Sequence, residues 1–362
     1  MQTENMKIWE SEKKIMIRIG IIGVGGIAQT HIKQLQDCKD TKITAICDID
    51  KNKLKTVGDR LGIDEEYRFE NYIDLINCDV VDAVEICTPN YLHVKMAVDT
   101  VKAGKPVEIE KPLGISYEEC KELTQAIEEK HVPNMMCMSY RFKPAVRYAK
   151  WIMNKNLIGD IVSLDVQYLK SSGLWEGRRL DWRFVKKYAG TGVLGDLAVH
   201  LIDLATLLAG DMKKVSAQTK IFVKERKKLD SEEMAPVETE DYCSFIGEME
   251  SGALANFMIT RCAYGNANTI KFDVYGTKGV ISFNLNNPDE LGVCIGEVDI
   301  KSDGLHTVKV PAEFDVKQEQ AFVDLVNGKA CEYLPEIEDG VRLQKVLDAI
   351  LVSAEKQQWV EL

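Results

Sequence analysis

The segment Ile17–His31, IRIGIIGVGGIAQTH, reads as a buried strand, a glycine turn and the start of a helix. Gly23, Gly25 and Ala28 occupy the three small-residue positions of a dinucleotide-binding turn. The first allows the tight turn, the second lets a pyrophosphate approach the backbone, and the third lets the helix pack on the strand. Glycine turns also join strands to helices in parallel sheets that bind nothing, so the turn alone does not identify a dinucleotide site and the surrounding sequence is needed.

The residues that follow this turn favour a dinucleotide site. A helix beginning with Gly26 and Ile27 points its N-terminus, and with it a partial positive charge, at the phosphates. Asp48 stands about twenty residues beyond Ala28, at the end of the apolar segment Ile43–Cys47. From there its carboxylate can accept the ribose hydroxyls and repel a 2′-phosphate, so we expect NAD rather than NADP. Two nearby cations could upset this preference: Lys51 and Lys53.

Length and charge limit what the protein can be. A chain of 362 residues usually forms about two domains. Its formal net charge of -11 argues against a nucleic-acid surface, although an anionic substrate stays possible where basic residues cluster. No apolar run approaches the roughly eighteen residues that a membrane helix requires, so we expect a soluble protein without a membrane partner.

Cysteine usage and the N-terminal segment suggest where the protein works. The ten cysteines occur singly, and several fall in predicted strands, where a reduced thiol behaves as a small hydrophobic side chain. The first residues, Met1–Met16, are polar and lack the apolar core of a secretion signal, so we expect a frayed extension. A reducing, cytoplasmic location is the resulting expectation.

Strand and helix patterns alternate through the first half of the chain. Predicted strands at Val81–Cys87, Val107–Ile109 and Asn134–Met138 are separated by helical patterns, one of which begins at the capping residue Ser116. This alternation predicts an α/β fold, with a doubly wound Rossmann domain over residues 16–142. Ligands of such sheets bind beyond the carboxyl ends of the strands, so the turns after each strand hold the candidate contacts.

The first of these turns follows the strand Val81–Cys87. Its Thr-Pro-Asn sequence fits either a proline turn with an asparagine helix cap or a cofactor contact. The histidine one turn further on is, by itself, more often structural. The candidate cofactor contacts of this region are Thr88, Pro89, Asn90, His93 and Glu110.

Lys111 ends the next strand, within Glu110-Lys111-Pro112-Leu113-Gly114. The following proline holds the lysine extended and directs its side chain outward, which suits either a solvated charge or a ligand contact. Together with Gly-Val-Gly-Gly-Ile-Ala, this Glu-Lys-Pro resembles the glucose-fructose oxidoreductase/inositol dehydrogenase/MocA family. The resemblance implies that Lys111 is catalytic or binds cofactor and substrate. It also implies that Arg141 lines the cofactor cleft between two domains and that Tyr140 contacts substrate.

The second half changes to longer strands separated by turns. Strand patterns recur between Ile161 and Phe283, and two helical patterns, Val316–Leu325 and Gly340–Lys356, follow them. We expect an α+β domain over residues 143–362 with an open, mostly antiparallel sheet, whose C-terminal helix is free to pack back on the first domain. The resemblance implies that one sheet face carries the substrate site and that the other joins subunits in a homodimer or homotetramer.

A glycine-rich segment, Gly190–Asp203, contains the second candidate for chemistry. Asp196 and His200 are four residues apart and therefore share a helix face, which Asp203 continues. By itself the pattern fits a helix cap and a buried structural histidine. The resemblance implies instead that the pair lies over the nicotinamide, with His200 acting on the substrate hydroxyl. Zinc is a competing interpretation, but no third ligand stands nearby, so we expect no metal.

Tryptophan and arginine are interleaved in Ser171–Lys187, a predicted loop. Aromatic rings can cover the apolar face of a sugar, and guanidinium groups bind hydroxyls, carboxylates or phosphates. A charged surface loop has the same composition. We expect substrate contacts from Trp175, Trp182 and Arg183, and the resemblance favours the adjacent Trp-Arg pair, because relatives carry a similar pair before the glycine run.

The expected reaction is NAD-dependent oxidation of a secondary hydroxyl of a sugar, sugar derivative or cyclitol, or the reverse reduction. A hydride leaves the carbinol carbon only as the hydroxyl proton is removed, so a base must lie within hydrogen-bond reach. His200, oriented by Asp196, is the first candidate, with Lys111 polarising the same oxygen. Two alternatives stay open: a glycosidase that oxidises its substrate transiently, and a sugar or nucleotide sensor without chemistry.

Overall fold

The computed structural model describes residues 16–296, 300 and 304–362, so the expectation for the first fifteen residues lies outside it. Its first sheet is parallel and has six strands: β1 Ile17–Ile22, β2 Thr41–Cys47, β3 Arg68–Phe69, β4 Ala83–Ile86, β5 Val107–Ile109 and β6 Asn134–Met136. They lie in the order β3-β2-β1-β4-β5-β6. The chain changes direction across the sheet between β1 and β4, and a ligand crevice opens at such a switch point. The predicted Rossmann architecture is confirmed.

Five helices cover the two faces of this sheet: α1 Gly26–Asp37, α2 Lys51–Leu61, α3 Tyr72–Ile76, α4 His93–Lys102 and α5 Tyr117–Lys130. Side chains fix where most of them begin. Asp50 caps α2, Asn71 caps α3 and Ser116 caps α5, each by accepting a backbone N–H of the first turn. The strands between them are apolar on both sides because helices cover both faces.

The second sheet has nine strands, and its members are β7 Ile161–Leu169, β8 Met212–Lys220, β11 Tyr242–Met249, β12 Leu254–Thr260, β13 Thr269–Gly276, β14 Gly279–Asn284, β15 Glu290–Ile295, β16 His306–Lys309 and β17 Val360–Glu361. Their order is β16-β15-β14-β13-β7-β12-β11-β8-β17. Only β7 and β12 pair in parallel; the other pairs are antiparallel. The predicted open, mostly antiparallel sheet is therefore confirmed. A separate hairpin joins β9 Glu225–Lys227 to β10 Met234–Pro236.

Five more helices follow, with the bounds α6 Pro144–Asn154, α7 Lys186–Ala189, α8 Val199–Ala209, α9 Gln318–Val326 and α10 Ile337–Lys356. Of these, α6, α8 and α10 pack on one face of the second sheet. α10 packs on the first domain, where Asp348 accepts the N–H of Tyr117 at 2.8 Å. Unexpectedly, α9 joins the Rossmann core itself, because its fully buried Phe322 belongs to the same cluster as Ile19 and Ile32.

Contrary to the expectation from the sequence, one stretch of the described residues is long and apolar enough to cross a membrane. It covers Lys186–Ala209, and 83% of its most apolar window is buried inside the structure. A helix that is apolar on all sides is typical of a protein core rather than of its surface. The end of this stretch, α8, is such a core helix and lies between the two domains.

Candidate active site

The glycine turn between β1 and α1 is shaped to accept a phosphate group. Gly23 has a φ of +88°, and a Cβ there would lie 2.7 Å from the carbonyl oxygen of Cys87. A Cβ on Gly25 or Gly26 would instead meet nothing within 4 Å, and no side chain caps α1. The first N–H groups of this helix therefore face open space, as a pyrophosphate requires.

Asp48 lies beside this turn at the end of β2. Its carboxylate accepts the N–H of Val24 at 3.0 Å, which ties the strand end to the turn. Lys51, which could have attracted a 2′-phosphate, pairs with Glu70 at 2.9 Å. The surroundings of Asp48 thus fit an adenosine ribose with free hydroxyls.

A cleft of about 140 Å³ opens beyond the carboxyl ends of β1, β4 and β5 and continues under the second domain. The first domain lines it with Ile27, Thr88, Asn90, Glu110, Lys111 and Pro112. The second domain lines it with Trp182, Arg183, Ala189, Thr191, Gly192, Asp196 and Arg261. The structure thus brings together motifs that lie far apart in the sequence.

The glycine-rich segment before Asp196 allows the two domains to meet closely, because a Cβ on Gly190 would lie 2.8 Å from the Cα of Ile115 in the first domain. A Cβ on Gly192 would collide with the carbonyl oxygen of Glu240. The Glu240 carboxylate accepts the N–H groups of Gly192 at 2.7 Å and Leu194 at 3.0 Å, and so caps the helical segment. This segment opens with a π-helical turn, Leu194–Ala198, before it becomes α8. Such turns are frequent at functional sites, and this one contains Asp196.

Asp196 joins two cations at the centre of the cleft. Lys111 Nζ donates to the Asp196 carbonyl oxygen at 3.0 Å and to its Oδ1 at 3.1 Å, while Arg261 Nη2 donates to Oδ2 at 2.7 Å. Burial favours the neutral acid, but the charges of Lys111 and Arg261 outweigh it and hold the pKa of Asp196 well below its usual range. Asp196 is therefore an anion that keeps the Lys111 ammonium in place.

His200 lies beneath the cleft lining, with 7% of its surface exposed. Burial first, and then the charge of Lys111, lower its pKa to about 3, so the imidazole is neutral at ordinary pH. Its Nδ1 has no hydrogen-bond partner among the described residues. The edge of the ring meets Tyr140, with centres 4.7 Å apart and planes at 81°, and the Tyr140 hydroxyl bonds that of Tyr168 at 2.9 Å.

The expected orientation of His200 by Asp196 is wrong for this structure. No hydrogen bond joins the two side chains in the described part of the chain, because both carboxylate oxygens of Asp196 are used by Lys111 and Arg261. Packing against Tyr140 holds the imidazole instead. The substrate role predicted for Tyr140 thus becomes, in this geometry, a positioning contact with His200.

Arg141 does not line the cleft, contrary to expectation. Its guanidinium, 5% exposed, donates to Asp203 at distances from 2.6 to 2.9 Å and to Asp339 at 3.0 Å. A buried guanidinium surrounded by carboxylates is electrostatically satisfied and has little reason to reach a ligand. Arg141 therefore ties α8 to α10.

Three further candidates, His93, Pro89 and Trp175, lie outside the cleft lining. Both ring nitrogens of His93 are used by backbone carbonyls, those of Thr88 and Pro112, at 2.8 Å each. His93 thus connects the two turns on which cleft residues stand, and Pro89 only begins the short helix that follows. Trp175 is 67% exposed at the tip of its loop. Trp182 and Arg183 do line the cleft, with the guanidinium stacked 4.4 Å from the indole centre.

Sequence patterns do not single out Lys170 or Arg261. Each follows a strand of the second sheet, β7 and β12, and these two strands are the parallel pair. Functional groups commonly follow the carboxyl ends of parallel strands, so a known pairing of β7 with β12 would have predicted Lys170 and Arg261. The missing signal was the parallel pairing itself, which joins segments about ninety residues apart and leaves no local pattern.

Groups with the spacing of metal ligands lie away from the cleft, around His31. The imidazole is 2.6 Å from Glu85 and 2.8 Å from Glu110. Two sets of three residues bring their ligand atoms within 4.8 Å of one another: His31, Glu85 and Cys87, and His31, Glu108 and Cys137. Among the described residues no such set includes Asp196 or His200. The zinc interpretation of that pair therefore has no support from the geometry.

Comparisons with known proteins agree with this architecture. A family model described as an oxidoreductase family with an NAD-binding Rossmann fold matches residues 17–137, and a GFO/IDH/MocA C-terminal domain model matches residues 146–282. Levoglucosan dehydrogenase of Pseudarthrobacter phenanthrenivorans is 30% identical over 331 residues, which cover 82% of this chain and 85% of that protein. Glucose-6-phosphate 3-dehydrogenase of Bacillus subtilis is 28% identical, and the match covers 92% of this chain and 95% of that protein.

Solved structures give the same result. A levoglucosan dehydrogenase in complex with NADH superposes with a TM-score of 0.88 at 29% identity, over 95% of this chain and 98% of that one. The same enzyme with NADH and levoglucosan also has a TM-score of 0.88, over 96% of this chain and 99% of that one. The likeness therefore extends over both domains.

Proposed function

This chain belongs to the GFO/IDH/MocA family of NAD-binding oxidoreductases, and on that premise we propose that it oxidises a secondary hydroxyl of a sugar, sugar derivative or cyclitol, or catalyses the reverse reduction. NAD is its cofactor. The observation that carries the proposal is the pairing of a cation and a neutral base: the Lys111 ammonium held by Asp196, and the uncharged His200 beside it. Dehydrogenase activity on sugars in two relatives supports it.

His200 is the proton acceptor in this proposal. Both carboxylate oxygens of Asp196 already accept hydrogen bonds, Oδ1 from Lys111 and Oδ2 from Arg261, and Lys111 Nζ is the donor in its contact, so neither Asp196 nor Lys111 is free to take up the hydroxyl proton. The neutral imidazole of His200 has no hydrogen-bond partner at either nitrogen among the described residues, and because Nδ1 is buried, Nε2 is the nitrogen that can accept the proton. A base within hydrogen-bond reach of the reacting hydroxyl contributes roughly 10²- to 10⁴-fold to the rate.

Lys111 polarises the same hydroxyl oxygen. Its ammonium has three donors, of which two are accounted for by the carbonyl and carboxylate oxygens of Asp196. The remaining N–H can donate to the substrate oxygen and stabilise the negative charge that develops as the proton leaves. Asp196 then serves as a positioning residue that holds Lys111 in place.

NAD, when bound, supplies the oxidised nicotinamide that accepts the hydride from the carbinol carbon. The glycine turn and the uncapped start of α1 would hold its pyrophosphate, and Asp48 its adenosine ribose. The chain's own contribution is to bind the substrate hydroxyl, hold the proton at His200 and keep the charge of Lys111 next to the reacting oxygen.

The test is a screen of purified protein with NAD against sugars, sugar acids, sugar phosphates and inositols, followed by NADH absorbance. We expect NADH formation with at least one class, and its loss in His200→Ala. A sensor without chemistry would produce none with any member of the panel.

A glycosidase that oxidises its substrate transiently would behave differently from both a dehydrogenase and a sensor. It would release the aglycone from a chromogenic glycoside, retain its cofactor through purification and produce no net NADH. Measuring released aglycone and NADH in the same reaction therefore separates hydrolysis from net oxidation, and release without NADH would overturn the proposal.

A further inference from the structure

Three cations of the second domain, Lys170, Arg178 and Arg261, lie near Asp196, and we call them the cationic wall; of the three, Arg261 lines the cleft itself. Lys170 and Arg261 directly follow the paired last residues of β7 and β12, so both leave the same edge of the sheet. Arg178 and Arg261 both lie against the buried ring of Phe184, with guanidinium carbons 4.8 and 6.0 Å from its centre. The wall is therefore contiguous.

Few carboxylates neutralise the cationic wall. Arg261 pairs with Asp196 at 2.7 Å, but Asp196 is shared with Lys111. Lys170 and Arg178 form no ion pair with a carboxylate anywhere in residues 16–296, 300 or 304–362. Arg261 Nη1 is buried without a hydrogen-bond partner in the same part of the chain, although Arg261 lines the cleft. The chain as a whole has a net charge of -11, so this local excess of positive charge needs a physical explanation.

A neighbouring arginine shows what a purely structural guanidinium looks like here. Arg226 also packs on Phe184, 4.6 Å from its centre. Its two terminal nitrogens donate to the backbone carbonyls of Gly173 and Arg178, and so fix the loop, while its buried Nε has no partner among the described residues. Arg178 by contrast makes only long contacts to Ser172, at 3.3 and 3.5 Å, from one of its nitrogens.

Burying these cations costs free energy, and an anionic ligand that pairs with them offsets this cost. Burial, and next the charge of Arg261, lower the pKa of Arg178 to about 10. Burial also lowers the pKa of Lys170; Asp196 opposes this change, whereas Lys111 and Arg261 add to it. Sites that hold unbalanced charge are commonly those where the ligand brings the opposite charge.

We propose that the substrate carries an anionic group, a carboxylate or a phosphate, which the cationic wall binds while the reacting hydroxyl lies at Lys111. This inference rests on the proposed function, because it names the class of sugar that the same site accepts. Guanidinium and ammonium groups form short, charge-assisted hydrogen bonds with both kinds of oxyanion, about twice as strong as neutral ones. A neutral sugar leaves Lys170 and Arg178 unpaired, so it binds roughly 10- to 100-fold more weakly.

Binding is measured by titrating the NAD-loaded protein and following the fluorescence of its tryptophans, one of which, Trp182, lines the cleft. The probes are matched sets of gluco, galacto and manno configuration, each with the neutral hexose, its uronate and its 6-phosphate. We expect the uronate or the 6-phosphate of at least one set to bind at least 10-fold more tightly than its hexose. The uronate and phosphate arms tell which anion is preferred. If no anionic sugar binds more tightly than its neutral parent, the proposal is wrong.

NADH formation in the same samples keeps the two proposals apart. Tighter binding of an anionic sugar without NADH from any probe retains the anionic-ligand inference and rejects the dehydrogenase. NADH formation from neutral sugars, with no tighter binding of their anionic derivatives, retains the dehydrogenase and rejects the anionic-ligand inference.

Variants locate the effect on the cationic wall. In Lys170→Gln and Arg178→Gln we expect the preference for the anionic sugar over its hexose to fall by roughly 10-fold, and Arg178→Lys to restore most of it, since the charge returns. Lys187→Gln removes an exposed positive charge from the same segment and is the matched control, in which the preference stays unchanged. An unaltered preference in well-folded Lys170→Gln and Arg178→Gln, judged by thermal melting, would rule out the cationic wall as the binding group.

Discussion

His200 and Lys111 serve one oxygen atom in the proposed mechanism, and this makes their roles testable together. His200→Ala should lower kcat roughly 10²- to 10⁴-fold, the usual contribution of one acid–base group, while leaving the affinity for NAD nearly unchanged. Lys111→Ala should also lower kcat. The double variant should lose much less than the product of the two single effects, because groups that act as a unit are not additive. Steady-state kinetics with the substrate found in the screen measure all three.

Matched controls for these variants are an exposed histidine and an exposed lysine, His131→Ala and Lys187→Ala, neither of which lines the cleft. Turnover by His200→Ala at the rate of the unaltered protein would make His200 a structural residue. Strictly multiplicative losses would mean that Lys111 and His200 act on different steps.

His31 illustrates a different use of a buried histidine. Burial opposes its charge, but Glu85, Glu110 and Glu319 surround the ring and raise its pKa well above the ordinary value. An imidazolium between carboxylates of β4, β5 and α9 joins the Rossmann sheet to a helix from the far end of the chain. Removing it would leave several buried carboxylates without a cation.

The pKa of His31 fixes the sign of its pH effect. Because this pKa is higher in the folded than in the unfolded state, its stabilisation is complete below about pH 6.5 and is lost as the pH rises through the folded-state value. His31→Gln should therefore lower the free energy of unfolding by roughly 3–5 kcal/mol near pH 6, with a smaller difference at alkaline pH. Urea unfolding at several pH values measures this, with the exposed His131→Gln as control. A loss that is the same at every pH would contradict a charged His31.

Turns at strand ends carry most of the candidate site, and this is the level at which the sequence was most informative. Gly23, Gly25 and Asp48 follow β1 and β2, and Lys111 follows β5, as predicted. These signals are local: a few residues of turn chemistry next to an apolar run. The π-helical turn at Leu194–Ala198 has no local sequence signal, and two residues distant in the sequence bond to its backbone, Glu240 to the N–H of Leu194 and Lys111 to the carbonyl of Asp196.

Asp48 should decide between NAD and NADP. We expect kcat/KM with NAD to exceed that with NADP by at least roughly 10-fold, because a carboxylate near the ribose accepts its hydroxyls and repels a 2′-phosphate. Asp48→Asn should reduce this ratio, since the repulsion is lost while the amide oxygen can still accept the N–H of Val24. Initial rates with both cofactors measure it.

Asp50 provides the matched control for this variant. It lies two residues further on, and its carboxylate caps α2 by accepting the N–H of Asn52 at 2.9 Å. Asp50→Asn should leave the cofactor ratio unchanged, because asparagine is also a good cap. Equal use of NADP by the unaltered protein would show that Asp48 does not face the ribose.

Among the described residues no helix covers the second face of the large sheet, and the side chains of that face suggest how whole molecules assemble. Ile246, Leu254 and Met258 lie on that face on the adjacent strands β11 and β12, and are 44%, 49% and 38% exposed. Apolar side chains grouped on an open sheet face are typical of a subunit interface. We propose that this face joins copies of the chain in a homodimer or homotetramer.

Light scattering at micromolar concentration tests this assembly. The unaltered protein should have the mass of a dimer or tetramer, and the double variant Leu254→Lys/Met258→Lys should be a monomer, because burying two lysines in the interface costs more than the contact gains. Leu229→Lys is the control, since Leu229 is 60% exposed outside the large sheet. A monomeric unaltered protein would contradict the proposal.

The sequence by itself determined the Rossmann fold, the sheet-based second domain and the use of NAD, and it singled out the two motifs around Lys111 and Asp196. Hydrophobic periodicity, caps and glycine turns are properties of neighbouring residues, so a sequence displays them directly. Only the tertiary structure decided which charges meet. Lys111 reaches Asp196 across 85 residues, Arg261 reaches it across 65, and Arg141 is taken from the cleft by Asp203, 62 residues away. Such ion pairs depend on how sheets and domains pack, and an isolated charged residue carries no local sign of its partner.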